Sequence, residues 1–139
     1  MINIEEQRAA LNQIGEEMLG LCQRQTQQSF EAYMNSDSEL AEEIILKENK
    51  INALDLKLEK DTDNFIALFN PVATDLRFAL ALLKINYNLE RIGDQAFDIA
   101  NHTIDLNKTL SPELIKKLEL NEMFETLDGM FKDVITSYT

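Results

Sequence analysis

Apolar residues recur along this chain at spacings of three and four, the period of one helix face, in stretches separated by short polar breaks. The first stretch carries Ile4, Leu11, Ile14, Met18, Leu21 and Cys22, then a polar patch over 23–29, then Phe30, Tyr33 and Met34. It predicts one long helix over about 4–34 whose middle is less buried. The run Asn35-Ser36-Asp37-Ser38-Glu39 breaks it, and Ser36 with Glu39 matches a capping box, which predicts a second helix from there. That helix carries Leu40, Ile44, Ile51, Leu54, Leu58, Phe65 and Leu68, close to a heptad, and ends near Phe69. Lys47 and Asp61 fall on its seam off-pattern, at expected edges of the core. Asn70-Pro71 reads as an N-cap followed by a proline in the first turn, which predicts a third helix from Pro71 to about Leu106. So short a link makes the second and third helices antiparallel neighbours. Ser111-Pro112 repeats the cap-then-proline signal, and Glu113–Thr139 is again helical, with Met123, Leu127, Met130, Phe131, Val134 and Tyr138 on one side. No alternating run and no Asn-Gly or Asp-Gly hairpin signal occurs, so the expected class is all-α.

The third helix has the most pattern. Ile85, Leu89, Ile92, Ala96 and Ile99 make one apolar seam, while Leu76, Leu80, Leu83, Tyr87, Glu90, Asp94 and Asp98 form a row on another face. That row starts apolar and ends as a ladder of carboxylates one turn apart. Like charges at this spacing repel by a few tenths of a kcal/mol, a cost that a bound positive group would relieve. Gly93 sits within the ladder; a glycine in mid-helix costs about 1 kcal/mol relative to alanine, which close approach of another helix or a ligand would offset. Solvated acidic side chains partly neutralised by Arg91 or Lys84 are the plain alternative.

Composition narrows the function classes. The 139 residues suit one core, and 45% apolar content with four glycines and two prolines suits packed helices. Twenty-five acidic against thirteen basic residues give a net charge of −12. Nucleic-acid binding is argued against, since a phosphate backbone needs a basic footprint; a cation or a basic partner surface is compatible. Cys22 is the single cysteine, which rules out an internal disulfide, fits a reducing compartment and, beside Leu21, predicts a small core residue. The opening MINIEEQR shows no signal peptide and no run approaches a membrane span, so a cytoplasmic location is expected. Nothing supports catalysis: no nucleophile has a base at a recognisable spacing, and no glycine-rich phosphate loop is present.

Asp75-Leu76-Arg77 followed by Leu89-Glu90-Arg91-Ile92-Gly93-Asp94 resembles the signature of the PhoU family, accessory proteins of bacterial phosphate uptake. The resemblance extends over most of the chain, including Glu48-Asn49-Lys50-Ile51-Asn52 and the Asn-Pro turn. It implies an antiparallel three-helix bundle over 1–106, a linker over 107–118, and in 119–139 either the start of a second helical repeat or a fourth helix. It implies a non-enzymatic adaptor that restrains phosphate import and phosphate-starvation signalling. Its partners would be the ATPase subunit of the phosphate ABC transporter and the sensor histidine kinase of the phosphate regulon; separately, the unpaired C-terminal helix makes a homo-oligomer the expectation. It also implies metal binding through a carboxylate-x-x-x-Asp motif on two helices, with iron, manganese, magnesium or zinc as the ion. Carried over, Glu90 and Asp94 match on the third helix; on the second the pair is Glu48 and Asn52, an asparagine replacing the usual second acid.

Register supports that pairing independently. With a reversal near residue 70, Glu48 lies level with about residue 92 and Asn52 with about residue 88, within roughly a helical turn of the 90/94 pair. Glu48, Asn52, Asp55 and Glu59 flank the seam of the second helix, whereas Glu90 and Asp94 point away from that of the third, so the two pairs converge only across a groove on the side carrying Leu80, Leu83 and Tyr87. All-oxygen donors suit Mg²⁺, Ca²⁺ or Mn²⁺, and carboxylates also take iron. Asp75, Arg77 and Arg91 are candidate partner contacts, although an aspartate in the first turn also suits the helix dipole. Asp98 extends the ladder, and His102 follows it by one turn as an expected surface or half-buried histidine. A carboxylate bundle with a storage or redox role would need Glu-x-x-His pairs, and position 99, three before His102, is Ile99. A purely structural, self-associating bundle is the third reading.

Overall fold

The computed structural model describes residues 3–139. Its elements are α1 (Ile4–Asn35), α2 (Ser38–Phe69), α3 (Ala73–Leu106), the short α4 (Pro112–Lys117) and α5 (Leu120–Tyr138). The first three pack pairwise into an antiparallel bundle, and α5 lies along α1. No strand occurs among the described residues, so the fold is all-α as expected.

The helix ends differ in detail from the sequence reading. Ser36 is left-handed (φ 52°) and closes α1, its N–H turning back to the Ala32 and Tyr33 carbonyls. The N-cap of α2 is Asp37, whose carboxylate accepts from the Leu40 N–H at 3.1 Å. The expected Ser36–Glu39 box is therefore displaced by one residue: Ser36 is needed to end one helix, and Asp37 satisfies the free amides of the next. Asn70 likewise closes α2 in the left-handed region (φ 43°), and α3 opens at Ala73, not at Pro71. A proline just past a left-handed cap stops the old helix instead of starting the new one. Ser111 does cap as expected, accepting from the Leu114 N–H at 3.1 Å with Pro112 in the first turn. That helix runs only to Lys117, within the stretch expected to be a linker, and a left-handed Glu119 (φ 52°) separates it from α5.

The seams are narrower and more polar than the large apolar residues suggest. In α1 they run through Leu11, Gly15, Met18, Cys22, Gln25, Ser29 and Ala32. The polar patch expected to be less buried is therefore core, because small and short polar side chains let the three helices crowd there. Gln25 (3% exposed) and Thr26 are buried with no hydrogen-bond partner for the amide or hydroxyl among the described residues. In α2 the buried positions are Ala41, Ile44, Glu48, Ile51, Leu58, Thr62 and Phe65; Lys47 and Leu68 are exposed, and Asp61 is half-buried. In α3 they are Ala79, Leu82, Asn86, Leu89, Gly93, Ala96, Ala100 and Thr103, with Ile85, Ile92 and Ile99 only half-buried at the flank. Leu80 and Tyr87 are exposed. Sequence reading follows large apolar side chains, whereas tight interhelical contact selects small ones.

Gly93 meets the expectation of close approach: a Cβ there would lie 3.3 Å from Ile51 Cγ2 on α2. Cys22 is fully buried beside Met18, Ile51 and Leu89, and its Sγ lies 3.3 Å from the Leu89 carbonyl as donor. Burial, followed by the charges of Glu48, Asp55 and Glu90, pushes its thiol up to about 12.

On α5 the face turned to the bundle is Phe124, Leu127, Phe131, Ile135 and Tyr138, whereas Met123, Met130 and Val134 are exposed. Phe124 stacks on Phe30 of α1 with ring centroids 5.0 Å apart, and Gln27 donates to Asp128 at 2.6 Å. The end of α5 is pinned by Tyr138, whose hydroxyl donates to the Asn12 carbonyl at 3.3 Å. A Cβ on Gly15 would overlap that hydroxyl. Gly15→Ala is therefore expected to displace the last turns of α5 and to press on Leu82 of α3, whose Cδ1 would lie 3.1 Å from the new Cβ, while leaving α2 in place. Hydrogen exchange reads this out: amides of 131–138 should lose protection and those of α2 should not, and equal protection everywhere would remove the pin.

Candidate functional site: an acidic groove between the second and third helices

The groove along α2 and α3 follows from the register of the two helices. Ile51 meets Gly93, and Asn86 Nδ2 donates to the Asp55 backbone carbonyl at 3.2 Å and to Asp55 Oδ1 at 2.6 Å. The residues predicted as level are level. The groove has two parts. One, of about 670 Å³, is lined by Ile45, Leu46, Glu48, Asn49, Asn52, Asp94, Phe97 and Asp98. The other, of about 290 Å³, is lined by Asp55, Glu59, Asp63, Leu83, Asn86, Tyr87 and Glu90. The first holds three of the predicted ligands, Glu48, Asn52 and Asp94; Glu90 alone lies in the second, with Leu83 and Tyr87, so the two pairs do not converge in one pocket on that side.

Glu48 departs from the sequence reading most. It was expected beside the seam and instead occupies it, 9% exposed, between Ile44 and Ile51. Burial is the largest influence on its carboxyl, followed by contact with the Asp94 side chain and the charges of Asp94, Glu90 and Asp98; together they push it up to about 7. The Glu90 carboxyl is raised by burial and by contact with Asp94, with Arg91 opposing weakly. Asp55 is raised by burial, against the lowering effect of the Asn86 hydrogen bond. Asp94 thus touches both Glu48 and Glu90 and links the two parts of the groove. The ion pairs among the described residues are Arg8–Asp75, Lys57–Asp61 and Lys132–Asp128, and none involves a carboxylate lining the groove.

The donor set is all oxygen, which suits hard cations such as Mg²⁺ or Mn²⁺ and also iron better than zinc, which favours nitrogen and sulfur. Its arrangement is not a ready-made shell: among the described residues no three His, Cys, Asp or Glu side chains are gathered tightly enough to hold a metal ion. Asn52 adds an oxygen without a charge. His102 is exposed and lines a separate, largely apolar cavity of about 600 Å³ with Phe30, Tyr33, Leu106 and Met123.

The other named residues are dispersed. Asp75 is tied to Arg8 of α1 at 2.6 Å, and the Arg8 guanidinium also lies 4.6 Å from the Phe78 ring centre, so Asp75 serves the α1–α3 packing. Arg77 is exposed, and Arg91 is exposed with its guanidinium 5.9 Å from the Tyr87 ring centre. Sequence reading missed Asn86 and Asp63. Asn86 occupies a seam position, and a polar residue in phase with Leu82 and Leu89 was the available signal.

The buried carboxyl gives a pH dependence with a definite sign. The folded chain keeps a proton on Glu48 that the unfolded chain loses above the ordinary 4.5. Its contribution to stability is therefore complete below pH 4.5 and declines as pH rises towards 7. The full shift would be worth about 3 kcal/mol, and screening by the open groove leaves about 1–2 kcal/mol. Glu48→Gln keeps the shape and can donate to Asp94. Denaturant melts should show it about 1–2 kcal/mol more stable than the parent at pH 8 and about equal at pH 4.

Comparison with known proteins places this architecture. The PhoU domain family matches residues 16–103, from the middle of α1 to the end of α3. The chain is similar to proteins named phosphate-specific transport system accessory protein PhoU homolog. That of Archaeoglobus fulgidus is 36% identical over 129 residues, 91% of this chain and 63% of the relative. Those of Aquifex aeolicus and Caulobacter vibrioides are 35% and 31% identical, covering 87% and 88% of this chain and 54% and 53% of theirs. The chain thus spans about half the length of the curated relatives it matches. No solved structure matches it at a significant level. With the domain match running across all three long helices and the DLR and ERIGD segments in place on α3, the chain belongs to the PhoU family.

Proposed function

We propose that the chain is an adaptor that restrains phosphate import and phosphate-starvation signalling by docking helical faces onto two partners. These are the ATPase subunit of the phosphate ABC transporter and the sensor histidine kinase of the phosphate regulon, in the cytoplasm. The observation that carries the reading is the match, along nearly the whole chain, to accessory proteins of phosphate-specific transport. The surface is consistent with it. A net charge of −12 and an unpaired acidic groove suit a basic protein surface and repel free phosphate. Tagged chain is expected to co-purify with both partners when co-expressed, and to lower a phosphate-starvation reporter in cells lacking their own copy. Capture of neither partner, with an unchanged reporter, would sink the adaptor reading.

A cation at Glu48, Asn52, Glu90 and Asp94 is a separable part of the proposal. It is favoured by Glu48, Glu90 and Asp94 crowding together, with Arg91 opposing only weakly and no ion pair to any of the three among the described residues. An ion that must draw its own ligands together binds weakly, and docking is assigned no step through it. Millimolar Mn²⁺ or Mg²⁺ should therefore raise the melting temperature by a few degrees, the linkage expected of weak native-state binding. The shift should vanish in Glu90→Ala/Asp94→Ala; equal shifts in both proteins would exclude these residues as the site.

A further inference from the structure

The first half of α3 carries a second apolar row that the bundle does not use. Leu76, Leu80, Leu83 and Tyr87 follow one another at spacings of four, three and four, the repeat of a helix that pairs with another helix. The core positions of α3 are others, Ala79, Leu82, Asn86 and Leu89. Leu76 and Leu83 are half-buried, Leu80 is 47% exposed, and Leu56 is exposed on α2. Charge distinguishes the two borders of this row. Toward α2 it is bordered by Ala79, Asn86 and Gly93, and on the far side by Arg77, Lys84 and Arg91, one cation per heptad. All three cations are exposed, and none is in an ion pair among the described residues. Arg91 is parked over the Tyr87 ring, 5.9 Å from its centre, which leaves Arg77 and Lys84 as the free ones.

Across the row, on α2, Glu59 and Asp63 are exposed, share a cleft with Leu83 and are likewise in no ion pair among the described residues. The bond from Asn86 to Asp55 sets the heights: Glu59 is level with about residue 82 and Asp63 with about residue 78. Each therefore lies within about 3 Å, along the helix axis, of Lys84 and Arg77 respectively. One face thus carries a basic border and an acidic border of equal height with leucines between them. Such a face complements itself. Two copies set face to face about a two-fold axis parallel to the helices bring leucine row onto leucine row and the acidic border of each onto the basic border of the other. An axis across the helices would set acid on acid, so the copies run parallel. Packed helices cross at about 20–50°, so the two copies diverge from a contact centred on Leu80, which keeps the like-charged ladder of Glu90, Asp94 and Asp98 apart. We propose that this face pairs two copies of the chain in a parallel dimer, Glu59 and Asp63 of each meeting Lys84 and Arg77 of the other. A contact confined to a few turns of two helices is at the small end of specific interfaces, so the dimer is a weak, micromolar one. The pairing does not rest on the adaptor reading.

Sedimentation velocity from micromolar to near-millimolar chain follows the association, at physiological salt so that long-range repulsion between copies is screened. The parent should pass from monomer to dimer and no further, since a two-fold axis closes the contact. Two charge-reversed proteins carry the test: Arg77→Glu/Lys84→Glu, with both borders acidic, and Glu59→Lys/Asp63→Lys, with both basic. Circular dichroism melts check that each folds. Each alone should dimerise about tenfold more weakly than the parent or worse, while the control Glu17→Lys/Glu31→Lys, at exposed positions of α1, should stay within about a factor of two. Mixed in equal amounts, the two reversed proteins should form a heterodimer at least as tight as the parent dimer, because every border then meets its opposite. A parent that stays monomeric would overturn the proposal, as would association beyond a dimer, reversed proteins that dimerise like the parent, or a mixture that does not associate. Any of these would leave the adaptor reading standing, since co-purification with the two partners tests that separately.

Discussion

The contact of Gly93 with Ile51 is the constraint on which the groove depends. Without a Cβ on Gly93, Ile51 packs against the backbone of α3, and α2 and α3 come together at that level. The next seam position of α2 toward its start is Glu48, drawn into the core beside Asp94; the next toward its end is Asp55, bonded to Asn86. A larger residue at 93 would hold the helices apart, hydrate both carboxyls and erase the raised Glu48 value. The apolar contact thus sets the electrostatics, since the same acids on well-separated helices would titrate as ordinary surface groups.

Much of this was legible in the sequence, and the misses have physical causes. The three long helices, the class, the antiparallel order and the level of Glu48 against Asp94 follow from periodicity and from short polar breaks, whereas the break at Glu119 that splits the last segment into α4 and α5 does not. That Glu90 lies beside Leu83 and Tyr87 follows from where the carboxylate ladder points; that Glu48, Asn52 and Asp94 share a separate pocket with Phe97 does not. The exact seams do not, because Ala, Gly, Ser and Asn carry little hydrophobic signal and yet are the residues that close packing requires. That is why the 23–29 patch reads as exposed and Gln25 is buried, and why Glu48 reads as a flank residue and sits inside. Cap residues were legible as boundaries but not as roles: Ser36 and Asn70 end helices, where the motifs suggested beginnings. Asn86 lines the groove from a seam position, held by two bonds to Asp55 across the helix pair that periodicity alone does not reveal.

The molecule divides its surfaces. The carboxylates lining the α2–α3 groove are in no ion pair among the described residues, whereas α1 is covered on one side by α5 through Phe131 and Tyr138. Met123, Met130 and Val134 point away from the bundle on α5, so that helix is amphipathic in two directions, one used within the chain and one exposed.

Cys22 carries a consequence of a different kind. Its thiol is fully buried, directed at the Leu89 carbonyl and raised to about 12, so at neutral pH almost none of it is thiolate. A sulfhydryl in that state ignores oxidants and alkylating probes as long as the three helices stay together, and becomes reactive when they part. The chain has no other cysteine. Its single thiol is thus a built-in clock for bundle opening, ticking at the rate at which α1 leaves the other two helices.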